Sequence, residues 1–421
     1  MPQEEVIPKK SKDRAFNPFR QPKTKAQESL VDDVTGQLIM YEELLGTRTR
    51  KRKAKDEITF RKIITSLLCD LIHNNLTSPE RTIYISLSNR ILGKKSRYTS
   101  PVLSKTLPET LKLLSDSEMN FVVMEKGFRG QTIIPNRRTT ITCGARLLSL
   151  VQKHKIVIDD FCEDLTQETV VLKNAKEDFF DKGERTEYED TLLTHEYRSE
   201  LLEINTWIAQ ANIQCSENFD TSNRLLIRYF SNNSFESNGR YFGGFWQSMS
   251  KIQRRQSLYI DDESIVTLDF SQVAPRIAYS LSGVPYFNTD AYTLPSGRYN
   301  RKDIKKVFNA MIYADKSLSR FPRGTKEAFE RRVRFADVRN EILDYHNPIK
   351  HLFGIGIGLK IMFIESQIIM SALLECKKQG IVALPVHDAL IIAELSKDMV
   401  KEIMLTSFKL ITGIEGKVEE E

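Results

Sequence analysis

Four short stretches of this 421-residue chain carry residue types that could do chemistry. The first is Ser264–Gly283, SIVTLDFSQVAPRIAYSLSG, in which Asp269 stands near the end of an apolar run, Ile265, Val266, Leu268 and Phe270, of the kind found in a strand buried on both faces. A carboxylate there is costly unless a cation compensates it. Ser271 is the expected N-cap of a following helix, with Pro275 in its first turn. The second stretch, Ile381–Glu394, reads as two apolar strands joined at His387-Asp388, a pattern a buried hairpin with a turn aspartate would also give. In the third, RKDIKKVFNAMIYA from Arg301, a helix places Arg301, Lys305, Asn309 and Tyr313 along one face and Ile304, Val307, Phe308 and Met311 on the core face. An ordinary amphipathic helix with solvated bases would read the same way. The fourth is Asn238-Gly239-Arg240-Tyr241.

Taken in order, Gly-Arg, DFSQVAPR, R-x3-K-x7-Y and HD resemble the palm and fingers of family A DNA polymerases and the related single-subunit phage RNA polymerases, over roughly Phe235 to the C-terminus. The resemblance implies an α+β right-hand palm with helical fingers. It makes Asp269 the first catalytic aspartate and His387-Asp388 the second motif, with Asp269 and Asp388 as metal ligands for two Mg²⁺ ions. Arg301, Lys305, Tyr313 and Gln272 become nucleotide-binding residues, and Lys305 also a proton donor to the leaving group. Arg240, His387 and Arg276 become primer- and template-binding residues. Phosphoryl transfer asks a protein for positioning and charge stabilisation rather than covalent help. Two metals would activate the attacking 3′-hydroxyl and stabilise the leaving pyrophosphate, and oxygen ligands without thiolates suit Mg²⁺ rather than zinc.

Departures from that pattern are informative. Ala274 stands where DNA-synthesising members carry the glutamate that helps exclude a 2′-hydroxyl, Asn309 where an aromatic is expected, Ala389 where an acid follows HD, and Ala314 where glycine follows the tyrosine. The expected activity is template-directed addition of nucleotides to a nucleic-acid 3′ end, by a DNA polymerase with relaxed sugar selection. A primase or RNA polymerase starting chains de novo, and a non-catalytic replication initiator, are the alternatives. Expected partners are a DNA template and primer, with RNA as an alternative, and (d)NTPs.

The elements that must position these residues belong to a chain long enough for two or three domains. Net charge is +6, and five cysteines are scattered without paired spacing, which argues against a zinc site or a disulfide framework. No apolar run of about 18 residues exists and the first residues are polar, so neither a membrane span nor a secretory signal is expected, and the expected location is cytoplasmic, nucleoid-associated in a bacterium. Residues 1–57 read as a basic, largely disordered arm, with one short helix over 38–45 and six basic residues among the eight of Arg48–Lys55. Residues 58–150 read as a winged-helix-like nucleic-acid-binding domain: a helix over 60–72, another over 102–114 opened by Pro101, and strands at 121–124 and 139–142 flanking Gly127, Arg129, Gly130, Arg137 and Arg138. A protein-contact module would share that pattern. Residues 151–234 read as a helical thumb or connector, with Arg224, Arg228 and Tyr229 on a helix, and 235–421 as the palm, with fingers at about 290–350. Eight basic residues in Lys316–Arg339 suit a template backbone, or a solvated helix face, and Gly354, Gly356 and Gly358 would let backbone approach the palm.

Overall fold

The computed structural model describes residues 13–48, 50–128, 137–176, 181–216, 219–286 and 289–421. The chain forms a mixed α/β structure in two compact units, each with its own core. One holds the residues up to Gln167 plus a short excursion, Asp220–Arg224; the other holds Glu168–Phe219 and Leu225–Glu421.

The first unit runs β1 (Arg14–Ala15), β2 (Arg20–Pro22), α1 (Lys25–Leu44), α2 (Ala54–Thr77), β3 (Ile83–Ile85), α3 (Asn89–Leu92), α4 (Leu107–Leu114), β4 (Val122–Glu125), β5 (Thr139–Cys143), α5 (Ala145–His154) and β6 (Phe161–Glu163). Phe60, Ile63, Ile64, Leu67, Leu68, Leu71 and Ile72 recur at helical spacing, so α2 buries one continuous stripe and becomes the spine of this core. Its sheet has the order β1-β3-β5-β4, parallel between β1 and β3 and antiparallel elsewhere. The hairpin β4–β5 is therefore one side of a four-stranded sheet and not a free two-stranded wing.

Three expectations need correction here. The arm is not largely disordered where it is described: α1 is 20 residues long and buries Leu30, Val31, Val34 and Leu38. Those four apolar residues suffice to dock it although polar residues outnumber them. The helix expected from Pro101 begins at Leu107, with Pro108 in its first turn. Arg52 is not a loose phosphate clamp, since it lies 3.6 Å over the Phe60 ring and pairs with Glu42. Met1–Lys12, Arg129 and Gly130 lie outside the described residues.

The second unit runs β7 (Val170–Leu172), α6 (Leu192–Gln210), β8 (Ile213–Cys215), β9 (Ile227–Ser231), β10 (Ser234–Phe242), α7 (Lys251–Ser257), β11 (Leu258–Ile260), β12 (Glu263–Phe270), α8 (Val273–Leu281), α9 (Arg301–Tyr313), α10 (Phe335–Tyr345), α11 (Gly358–Lys378), β13 (Ala383–Val386), β14 (Ala389–Ala393), α12 (Lys397–Thr412) and β15 (Val418–Glu420). The main sheet has the order β13-β14-β12-β11-β8, with β15 also paired to β12. A smaller sheet has the order β10-β9-β7.

The stretch read as a helical thumb contributes strands as well as α6, and from Glu168 its residues share the core of the main sheet. Arg228 and Tyr229 lie on strand β9, not on a helix. The short runs Val170–Leu172 and Leu225–Ser231 sit among charged residues, which hides their strand pattern. Lys316–Arg339 is turns and a single 3-10 turn until α10 begins, so it presents no charged helix face. The N-cap of α8 is Gln272 and not Ser271.

Candidate active site

Strand β12 carries Asp269 and lies between two partners. On one side Asp269 is in register with Ala389 of β14, and on the other with Glu419 of β15. The β13–β14 turn is His387-Asp388, and the Phe270 amide donates to the Asp388 carbonyl at 3.4 Å. This pairing brings the two aspartates to one end of adjacent central strands. Strand β14 is buried along its whole length, so the turn is held rigidly. His387 adopts a left-handed backbone, φ 56°, which is how so tight a turn closes.

The electrostatics of the pair are under-compensated. Burial, then the charge of Asp388, pushes the Asp269 carboxyl up to about 7, against the pull of Lys251 and Lys305. Burial likewise raises Asp388, with Arg240, His387 and Lys305 opposing. Lys305 thus acts on both carboxyls from α9. Two carboxylates that resist ionising together, with hard oxygen donors and no thiolate, fit divalent cations of the Mg²⁺ class. Among the described residues, no group of three or more acidic, histidine or cysteine side chains forms a closed metal cage. Remaining coordination would have to come from phosphate and water.

The α9 face continues from Lys305 to Tyr313. Its N-cap Asn300 side chain accepts from the Lys302 amide at 2.8 Å, which fixes where the helix starts. Burial and the Glu365 carboxylate push the Tyr313 hydroxyl up to about 12. Its ring lies against Gly358: a Cβ there would come within 2.2 Å of Tyr313 Cδ1. The glycines at 354, 356 and 358 therefore serve the end of α9 rather than the palm strands, with the Gly356 amide donating to the Ala314 carbonyl at 2.8 Å.

Arg240 enters from β10. Its guanidinium forms a two-armed ion pair with Glu365 of α11, at 2.7 and 3.0 Å, and its charge reaches Asp388. Glu365 is 1% exposed, and burial followed by Asp388 pushes it up to about 8. Behind this pair lies Arg228, wholly buried, whose guanidinium donates to the Gly239 carbonyl at 3.0 Å and to Ser366 Oγ at 3.0 Å. Gly239, φ 79°, is needed there, because a Cβ would stand 2.7 Å from Ser366 Oγ.

Arg301, Gln272 and Arg276 each have partners within the chain. Arg301 is gripped by Asp290 at 2.7 Å while remaining 45% exposed. Gln272, in a left-handed backbone and nearly buried, accepts the Tyr286 hydroxyl at 2.8 Å and the Ala291 amide at 2.6 Å through Oε1. His346 Nε2 lies 2.8 Å from the Ala291 carbonyl. Both backbone groups of Ala291 are pinned, which fixes neighbouring Asp290 and so Arg301. Gln272 Oε1 thus serves this loop. Arg276 donates to the Glu415 carbonyl at 2.7 Å and lies 4.3 Å over the Tyr286 ring. His387 is exposed, edge-on to Phe242 at 6.0 Å, and burial followed by Arg240 lowers its imidazole.

Glu365, Asp290 and Arg228 have no role in the motif reading. Glu365 carries a sequence signal: it follows Ile361 and precedes Ile369 at four-residue spacing, which places an acid on a buried helix face. Asp290 carries none.

A second constellation, in the first unit, fails as a catalytic relay. Ser222 Oγ and the Asp220 carboxylate both approach Nε2 of His73, each at 3.0 Å, while Nδ1 is buried without a hydrogen-bond partner. A relay needs the two on opposite ring nitrogens.

No protein-family model matches this chain, and no curated protein does. Among solved structures, the POL domain of Pol1 from M. smegmatis, in complex with DNA primer-template and dNTP, is similar at 14% identity and a TM-score of 0.33. The match covers 86% of this chain and 65% of that one, so the chain spans less than two thirds of that structure.

Proposed function

We propose that this chain is a template-directed nucleotidyltransferase that extends a nucleic-acid 3′ end, a DNA polymerase of the family A type with relaxed sugar selection. One observation carries the reading. Asp269 and Asp388 meet at the end of paired central strands, burial first of all raises both carboxyls above their ordinary range, and both feel one lysine from a basic helix face. Mg²⁺ held by Asp269 and Asp388 would supply the charge neutralisation that phosphoryl transfer requires.

The chain's own residues do the rest. Lys305 Nζ binds the triphosphate and holds the proton delivered to the departing pyrophosphate oxygen. Arg301, oriented by Asp290, grips the outer phosphates. Tyr313, backed by Gly358, forms the floor for the nascent base pair. Arg240, fixed by Glu365 and steadied by Arg228, presents its guanidinium to the primer end. Ala274 is 5% exposed and has no carboxylate to set against a 2′-hydroxyl. The first unit serves as a nucleic-acid-binding module.

The test is labelled-primer extension with Mg²⁺, offering dNTPs and NTPs separately, with Asp269→Ala as control. Extension lost in the variant supports the reading. No extension from primed or unprimed templates, alongside tight binding of DNA, would favour a non-catalytic initiator. Extension only from unprimed templates would favour a primase.

A further inference from the structure

The first unit carries a concavity of about 740 Å³ between the segment that follows β3 and the β4–β5 hairpin. Tyr84, Leu87, Ile91, Phe128, Arg137 and Arg138 give it its chemical character, and among the described residues no acidic one lines it. Phe128 and Ile91 are 50% and 51% exposed. The backbone that carries Phe128 is held in place. Phe128 and Arg137 exchange two main-chain hydrogen bonds, at 2.9 and 3.0 Å. Arg138 lays its guanidinium 4.2 Å over the Tyr84 ring, making a flat cationic surface. Arg137 already pairs with Glu125, so Arg138 is the stronger anchor for an anion. From Ile91 the chain runs on into a second depression of about 410 Å³, lined by Lys94, Lys95 and Lys105.

We infer that this surface binds single-stranded nucleic acid, with bases stacked on Phe128 and on the Tyr84–Arg138 pair and phosphates along Arg138, Lys94 and Lys95. Exposed rings beside a track of cations are what unpaired bases on a charged backbone require. A duplex hides its base faces and would use only the cations. An apolar peptide would leave those cations uncompensated. Stacking does not sense the sugar, so DNA and RNA strands are both ligands. None of these residues belongs to the proposed active site, and the inference stands or falls without it.

The experiment uses the full chain, with fluorescent oligo-dT and oligo-U of about 15 nucleotides, within the range of known single-strand site sizes, and a blunt duplex of equal length. A photoreactive iodouracil version of each strand maps the contact by mass spectrometry. Phe128→Ala should weaken both strands by roughly 5- to 100-fold, the range for one lost stacking partner, and Phe128→Trp should restore them. Arg138→Ala should weaken binding and flatten its salt dependence. Crosslinks should fall on the peptides holding Tyr84 or Phe128, and duplex affinity should change little in Phe128→Ala. Because Phe128 is half exposed, its truncation leaves the core intact, which the thermal midpoint verifies. Unchanged affinity in both alanine variants, or crosslinks confined to other peptides, would overturn the inference. So would displacement of the strands by polyglutamate at equal charge, which would reduce the surface to a non-specific anion patch.

Discussion

Both units bury charge, and they do so in opposite ways. In the first, Asp70 is fully buried but saturated: it accepts from Arg14 at 2.9 and 3.0 Å, from the Asn17 amide at 2.9 Å and from Arg20 at 3.4 Å. Its neighbour Glu163 is less well compensated: it faces Arg20 and accepts from Asn17 at 2.8 Å, yet burial still raises its carboxyl. In the second, Asp269, Asp388 and Glu365 crowd one another with too little positive charge, and Asp269 and Glu365 are pushed up to about 7 and 8 by burial first and by their acidic neighbours next. A saturated buried charge is architecture, because every lone pair is spent inside the fold. An under-compensated cluster is where a cation from outside would find unmet negative charge.

Substitution separates the two cases. Asp388→Ala should lower extension by at least ~10³-fold, about 4 kcal/mol of transition-state stabilisation, while the thermal midpoint holds or rises because a repulsion is removed. A variant that instead unfolded would show Asp388 to be architecture after all. Asp70→Ala should do the reverse. It removes the shared carboxylate partner of Arg14 and of buried Arg20 and should cost ~3–5 kcal/mol in chemical denaturation, with extension per folded molecule unchanged.

Ala274→Glu sharpens the picture at the sugar. It should reduce NTP relative to dNTP incorporation by roughly 10- to 200-fold, the scale of a single pocket contact. Equal reduction of both would mean the site cannot house a longer side chain. A smaller effect comes from pH. The folded protein holds the Asp269 proton to about pH 7 while the unfolded chain loses it near 4, so native protein binds more protons between these values. Stability from this group therefore falls as pH rises through that window. Mg²⁺ relieves the cost only where the carboxyls are ionised, so it should raise the thermal midpoint at about pH 8 and hardly at all at about pH 5.5. An equal rise at both would place the cation elsewhere.

The sequence was most readable where chemistry and local pattern coincide. Asp269 after a β-branched run, His387-Asp388 between two apolar runs, and the four-residue spacing of Arg301, Lys305, Asn309 and Tyr313 are local signals, and strands β12 to β14 and helix α9 stand where they point. What was hidden depends on partners far along the chain. Ala291 and Tyr286 occupy the Gln272 carbonyl. The Glu415 carbonyl accepts from the Arg276 guanidinium. Helix α1 docks through four residues in a polar stretch, and β15 reaches β12 from the other end of the second unit. No windowed periodicity reports such pairings.

The excursion Asp220–Arg224 has a consequence for anyone who would take the molecule apart. Polypeptide leaves the first unit after Gln167 and returns for five residues, which supply Ser222 to Arg20 at 2.9 Å and Asp220 to His73 at 3.0 Å. Then it departs again. One incision cannot yield two intact halves: a gene fragment stopping at Gln167 would keep Arg20 and His73 but lose Ser222 and Asp220, which bond to them. Splicing the first unit onto another protein would require grafting two discontinuous pieces of coding sequence at once, so recombination at a single breakpoint is a poor route for exchanging it.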